Sequence, residues 1–299
     1  MKAHILLIAP LAFLFFSCSE EERITDAAGF FEATEIIVSA EATGKILNLN
    51  ISEGDRLQAN QQIGLIDSTQ LHLKKMQLIA SKKAIAAGRP DIKAQIDATE
   101  QEIARQEREK TRIEKLLAGD VATQKQRDDI EAAIDILKAR LRSQKSSLNN
   151  SVNAVDAQIN TIDVQIAQLD DQIDKSIVYS PIKGTVLVKY AEPGEMTGMG
   201  KALFKIADVD HMILKAYVNA DLLAKVKIGQ EVKVLAEFGA TDNREYAGNI
   251  TWISSKAEFT PKTIQTQDER ANLVYALKIA VKNDDYLKIG MYGGFKLAE

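Results

Sequence analysis

Few side chains in this sequence are of a type and spacing that could do chemistry. The three histidines, His4, His72 and His211, are far apart and have no cysteine partner nearby, so metal-ligand spacing of the Cys/His kind is missing. Acidic residues are plentiful, but from Ser68 to Lys175 they are interspersed with Lys and Arg at helical spacing, the pattern of a solvated helix face. No GxxxxGK phosphate loop occurs. The residues therefore predict no catalytic site, no cofactor and no metal centre, and an enzyme is the weakest functional class. A net charge of −4 with a single Trp also lacks the basic, aromatic footprint of a nucleic-acid binder.

The reactive residue that remains is Cys18, the single cysteine, which excludes an internal disulfide. It follows Lys2, an apolar run from Ile5 to Phe16, and Ser17, which is the pattern of an export signal over residues 1–17. The run is shorter than the roughly 20 residues that a membrane-spanning helix needs. The segment resembles a bacterial lipoprotein signal, which implies acylation of Cys18 and a tether over 18–29 that Glu20 to Glu22 keep solvated. Phe15 and Phe16 depart from the Leu-rich form of that signal, and an ordinary signal peptide with an incidental cysteine is the alternative.

The elements that could position anything are announced by a repeat. A shift of 140 residues, without a gap, lays Gly184 of SPIKGTVLVKYAEPGE on Gly44, Gly194 on Gly54, Glu195 on Asp55 and Ile206 on Ile66. Both copies are rich in Val, Ile and Leu and carry glycine where turns are needed, so each reads as β. Neither copy, 30–67 or 176–208, is long enough to bury a core by itself, because units below about 40 residues rarely hold without staples. The two are expected to form one small β domain, split by an insert.

That insert, 68–175, has helix-forming composition. Apolar residues recur at Ile92, Ile96, Ile103, Ile113 and Leu117, with Thr99, Gln106 and Lys110 between them. They recur again from Ile130 through Ile134, Leu137 and Leu141 to Ile173 in steps of three and four. Such spacing gives one narrow seam per helix, as in a coiled coil. From Leu141 through Gln144, Leu148 and Val152 to Val155 the steps run three, four, four, three, a stutter. Gly119-Asp120 reads as a helix stop and Thr123 as an N-cap, so the two helices turn back near 119–122 and form an antiparallel hairpin. Gly88 suits a position just after a helix and Pro90 the first position of the next. Asn149-Asn150-Ser151 lies at the same height on the return arm, and both arms are expected to loosen there. After Asp208, alternating runs such as MILKAYVN and LVYALKIAV predict an antiparallel barrel or sandwich over 209–299, to which GFFEATEI near the N-terminus could add a strand.

With these residues in view, the chain resembles the HlyD-like membrane fusion proteins, the periplasmic adaptor subunits of tripartite efflux and secretion systems. The resemblance rests on three features. One is the split lipoyl-like motif, with turns at Gly44, Gly54, Gly184 and Gly194; the second is the hairpin between its halves; the third is AEFTPKTIQTQDERANLVYALKI, Ala257 to Ile279. It implies an α+β fold: a long antiparallel coiled-coil α-hairpin inserted in a split lipoyl-like β domain, followed by an antiparallel β-barrel. The lysine-bearing hairpin of a true lipoyl carrier is replaced by the insert, so the carrier chemistry is absent. The family carries at its tip an Arg, a Leu four residues on and a Ser seven further, which dock onto a TolC-like channel. Arg112, Leu116 and Thr123 match that spacing, with Thr in place of Ser. Leu116 is expected to be exposed. The other readings are that RxxxL is a common helical pattern and that Thr123 is only a cap.

The implied partners are an inner-membrane transporter, a TolC-like outer-membrane channel, further copies of the chain in a ring or funnel, and the membrane through the N-terminal lipid. The implied location is the periplasm. The transporter expected is an ABC exporter, because Ala257 to Ile279 and AAGRPDI look like that subgroup and little chain follows the β region. Two alternatives stay open: an adaptor of a proton-driven pump, and a lipid-anchored scaffold or surface lipoprotein with no transport role.

Overall fold

The computed structural model describes residues 25–238, 242–259 and 273–297. Cys18 and the export signal lie outside these residues, as do 260–272 of the Ala257–Ile279 segment. The first half of the split domain supplies β1 (Ala27–Ser39), β2 (Gly44–Leu49), β3 (Arg56–Leu57) and β4 (Gln62–Ile66). The stalk follows as α1 (Thr69–Ala87), α2 (Ile92–Ala118) and α3 (Gln124–Asp174). The chain returns through β5 (Ile177–Tyr179), β6 (Gly184–Lys189), β7 (Met196–Thr197) and β8 (Ala202–Val218). It ends with α4 (Ala220–Leu223), β9 (Glu231–Phe238), β10 (Asp242–Ile253), β11 (Glu258–Phe259), β12 (Leu273–Lys282) and β13 (Tyr292–Leu297).

The two copies of the repeat are bound by reciprocal backbone hydrogen bonds. Gly54 N–H donates to the Val186 carbonyl at 2.8 Å, and Gly194 N–H donates to the Ile46 carbonyl, the same pair shifted by 140, at 2.8 Å. Val186 N–H donates to Asp55 O at 2.9 Å and Ile46 N–H to Glu195 O at 2.8 Å. Asn60 N–H to Ser180 O and Gly200 N–H to Ala40 O form a third related pair, at 2.8 and 2.9 Å. Strand pairing obeys the same rule, since Gly44 opposes Thr197 and Leu57 opposes Gly184. A pseudo-two-fold axis thus relates the halves, and Ile46, Leu49, Ile66, Val186, Phe204 and Ile206 fill one shared core. The glycines are required by geometry. Gly54 and Gly194 have φ of +93° and +96°, and a Cβ on Gly44 would lie 2.9 Å from Asp67 O, while one on Gly184 would lie closer still to Ala207 O.

In the third module β12, β10, β9, β13, β1 and β8 pair in that order, and β12 pairs back with β8, which closes a six-stranded antiparallel barrel. Alternate residues point inward, so Phe31, Leu214, Val234, Ile250, Ile279 and Phe295 are fully buried in its core. β1 and β8 belong to both modules. Their register breaks where the modules meet: Thr34 pairs with Asp208 but Ala33 with Met212, so residues 209–211 bulge out. The Asp208 carboxylate accepts from the N–H groups of Asp210 and His211 and meets His211 Nδ1 at 2.9 Å, while Asn283 Nδ2 donates to Val209 O at 2.8 Å. His211 therefore has a structural partner at the bulge, and exposed His72 sits on α1.

The stalk departs from sequence expectation at its interruption. Asp91, not Pro90, caps α2, its carboxylate accepting from Ala94 N–H at 3.1 Å, and Pro90 falls before the cap. Gly88 keeps helical φ of −81° rather than a left-handed one. The return arm does not loosen at Asn149-Asn150-Ser151: α3 runs 51 residues unbroken, about 75 Å at 1.5 Å per residue. Asparagine lowers helix propensity by well under about 1 kcal/mol, which packing along the seam outweighs. Along that seam Ile96, Ile103, Ile113, Ile134, Ile162 and Leu169 are buried, and Thr99 donates across it to Gln144 at 3.0 Å.

Replacing Gly194 by Ala is expected to cost about 1–2 kcal/mol, the strain of a positive φ in open space. Gly184→Ala should cost more, because a backbone carbonyl blocks its Cβ. Urea titrations of the two variants would check the order; equal midpoints would contradict the packing account.

Candidate docking site at the stalk tip

The tip is built by a helix stop at Gly119 and a helix start at Thr123, with three residues between the two caps. Gly119 and Asp120 N–H groups close on Leu116 O and Leu117 O at 3.2 and 3.1 Å, and Val121 N–H returns to Leu116 O at 2.9 Å. The left-handed residue is Asp120, with φ of 55°, whereas Gly119 has φ of −102°. Short polar side chains tolerate that region. Thr123 then opens α3 with a reciprocal capping box: Thr123 N–H donates to Gln126 Oε1 at 2.8 Å, and Gln126 N–H donates to Thr123 Oγ1 at 3.4 Å. The hydroxyl matched to the family's Ser is thus engaged in capping.

Arg112 is exposed and holds Glu109 in a forked pair, Nε to Oε2 at 2.9 Å and Nη2 to Oε1 at 2.6 Å. The hydrogen bond from Arg112 lowers the Glu109 carboxyl below its ordinary range, and the same bond raises Arg112. Lys110 bridges to the return arm at Glu131, 3.0 Å away, and that carboxylate holds its ammonium above the usual lysine value. Leu116 is half-buried, not exposed. The apolar side chain that does face solvent is Val121, 75% exposed on the turn itself. Sequence spacing did not single it out because it falls outside both helical repeats; its place between Asp120 and the Thr123 cap is the available signal. Gly44, Gly54, Gly184 and Gly194 lie in the split domain, away from this surface. Among the described residues no cluster of His, Cys, Asp and Glu is placed to hold a metal, and no helix is long and apolar enough to cross a membrane.

A UPF0194 membrane protein of Yersinia pseudotuberculosis serotype O:3 is 37% identical over 120 residues, 40% of this chain and 36% of its own length. The chain therefore matches about a third of that relative. A UPF0194 membrane protein of Enterobacter is 26% identical over 96% of this chain and 92% of its own. No protein-family model matches the chain. Among solved structures, MacA from Actinobacillus actinomycetemcomitans superposes with a TM-score of 0.54 over 90% of this chain and 76% of its own, at 22% identity. The chain shares the MacA fold. A MacA–MexA chimeric protein that contains the Pseudomonas aeruginosa MexA alpha-hairpin has the same fold, with a TM-score of 0.50 over 91% and 80% of the two chains at 21% identity. Within this fold, the tip lies at the far end of a stalk whose base is held by the split domain.

Thr123→Ala should speed amide exchange at Gln126 and cost about 1 kcal/mol, while Thr123→Ser keeps the acceptor and the protection. Unchanged exchange in the Ala variant would remove the cap from the account.

Proposed function

We propose that the chain is a HlyD-like periplasmic adaptor that couples an inner-membrane transporter to a TolC-like outer-membrane channel for efflux or secretion. The observation that carries this reading is the stalk: about 75 Å of antiparallel coiled coil, rooted in a rigid β module and ending in a capped turn with an exposed Val121. A helical rod of that length has no core of its own to serve. Its plain use is to reach. The tip then docks by packing Val121 and Leu116 against the channel, with Arg112 and the Thr123 turn at the rim.

The likeness of Ala257–Ile279 and AAGRPDI to adaptors of ABC exporters supports a transporter of that type. Acylation at Cys18 would hold the base of the molecule at a membrane. Both are parts of the same proposal.

Val121→Asp tests the docking role. The side chain is largely exposed, so stability should change by about 0.5 kcal/mol or less. A carboxylate in a packed contact must be desolvated without a partner, so cross-linking to the channel and export should both fall. Asp at the exposed mid-stalk position Gln101 is the control, and Leu116→Asp adds a half-buried comparison. Export at wild-type level with Val121→Asp, at normal expression, would count against docking through the tip. Lipidation is checked by feeding cells a clickable fatty acid: wild type should take up label and Cys18→Ser should not, and equal label would remove the anchor.

A further inference from the structure

The outer wall of the barrel carries a line of side chains that its core does not use. Strand register sets Trp252 of β10 beside Lys278 of β12, Lys278 beside Lys215 of β8, and Lys215 beside Phe30 of β1. The next residues along these strands, Phe31, Leu214, Leu277 and Ile279, are fully buried in the barrel, so Phe30, Lys215 and Lys278 point outward. Trp252 is 42% exposed. Two lysines directly opposite each other on neighbouring strands repel, an arrangement that costs stability unless an anion offsets it. Among the described residues no carboxylate forms an ion pair with either.

Each lysine lies over an aromatic ring instead. Lys215 Nζ is 5.6 Å from the centre of the Tyr217 ring, and Lys278 Nζ is 5.8 Å from that of Trp252. The Phe30 and Tyr217 rings stand 6.5 Å apart and extend the apolar surface. Burial lowers the Lys215 ammonium, but the Tyr217 hydroxyl and the charges of Glu258 and Glu32 raise it by more, so it stays above the usual lysine value and remains charged. The barrel has a second facing pair for comparison, Lys233 of β9 and Lys296 of β13. Both of those are exposed and free to swing apart into water, whereas Lys215 and Lys278 are half-buried and held together by the rings beside them.

We infer that this wall of the barrel rests on an anionic bilayer surface, with Lys215 and Lys278 meeting lipid phosphates while Trp252 and Phe30 enter the headgroup layer on either side. The occupant follows from charge, composition and chain position. Two facing lysines call for an anion. Rings with a polar edge, set among lysines whose stems run along apolar surface, suit the boundary between water and lipid. The wall is convex and spans four strands, about 14 Å from Trp252 to Phe30 at 4.8 Å per strand, so it encloses no small molecule and suits a broad surface. β1, which carries Phe30, also follows closely on Cys18: at most about 25 Å of chain separates Cys18 from Thr25. An acyl group on Cys18 brings the barrel to a bilayer, and the paired lysines then decide which wall faces it. This deepens the adaptor reading, on which the nearness of a membrane rests, by naming the surface that meets the lipid.

Trp252 is the single tryptophan of the sequence, so its emission reports this wall alone. The purified full chain is mixed with vesicles of phosphatidylcholine, or of phosphatidylcholine with phosphatidylglycerol, each with and without brominated acyl chains. Any contact made by the N-terminal segment is common to both vesicles and to every variant. Trp252 should shift to the blue and be quenched by bromine with the anionic vesicles only, and salt should reverse both changes. Lys215→Gln with Lys278→Gln should weaken the response about 30-fold, at roughly fivefold per lysine near an anionic surface. Lys233→Gln with Lys296→Gln removes the same charge from the other pair and should leave the response unchanged. Lys278→Gln alone, expected to weaken it about fivefold, serves if the double variant folds poorly. An equal response to both vesicles, or an equal loss in the control pair, would overturn the inference; no response to either would overturn it in favour of an acidic protein surface. Export by Val121→Asp reads the tip separately, so the adaptor reading and this contact can fail independently.

Discussion

Gly54 and Gly194 turn the chain at two related corners, and each gives its N–H to a strand of the opposite half, Val186 and Ile46. On this crossing the rest of the molecule depends. Each half has too little apolar surface to close a core alone, so folding of the small β module and joining of its two halves are one event. The insert between them must then start and finish side by side, which a helical hairpin does and a single helix cannot. Asp67 N–H donates to Lys45 O and Ile66 N–H to Ser176 O, at 2.8 Å each, which pins both ends of the hairpin to the same sheet.

The pseudo-two-fold axis also explains how stalk and barrel are connected. Under the shift of 140, the exit from β4 into α1 corresponds to the exit from β8 toward the bulge at 209–211, and the entry from α3 into β5 corresponds to β1 arriving from the barrel. Stalk and barrel therefore leave equivalent corners of one module. The stalk exit is helical and changes element at Ser68; the barrel exit keeps β1 and β8 continuous and absorbs the mismatch in a bulge. Lys183–Asp210 at 2.7 Å and the Arg56–Asp285 pair add side-chain ties across the barrel side. These are exposed pairs that solvent screens, so they add little stability. Orientation comes chiefly from the two shared strands.

Charge pairs along the stalk do a different task. In the basal half the cations lie on the ascending arm, at Lys75, Lys82 and Arg89; farther up Glu100–Lys145 and Glu107–Lys138 reverse the order. A slip of one heptad that set Glu107 against Glu131 would meet repulsion. The basal pairs recur every seven residues, so the same slip would still set Lys75 against Asp163 and Lys82 against Asp156; exposed pairs of this kind add little stability, and the Glu107 position alone opposes that slip.

The fold class was legible because it rests on signals of short range or of simple repetition: seams in steps of three and four, glycines at matching places in two copies, alternation in the last hundred residues. The candidate site was legible only in part. Arg112, Leu116 and Thr123 could be picked out by spacing, but spacing does not report burial, and the turn exposes Val121 while half-covering Leu116. Likewise Pro90 reads as a helix start until the Asp91 carboxylate is seen to cap Ala94. The sequence by itself determined which segments are helix or strand and that two distant segments share one module, since these follow from residue type and period. Only the tertiary structure decided which faces stay uncovered. Leu73 and Met76 of α1 stay exposed because the face that α1 turns toward α3 is set by contacts between residues some ninety positions apart.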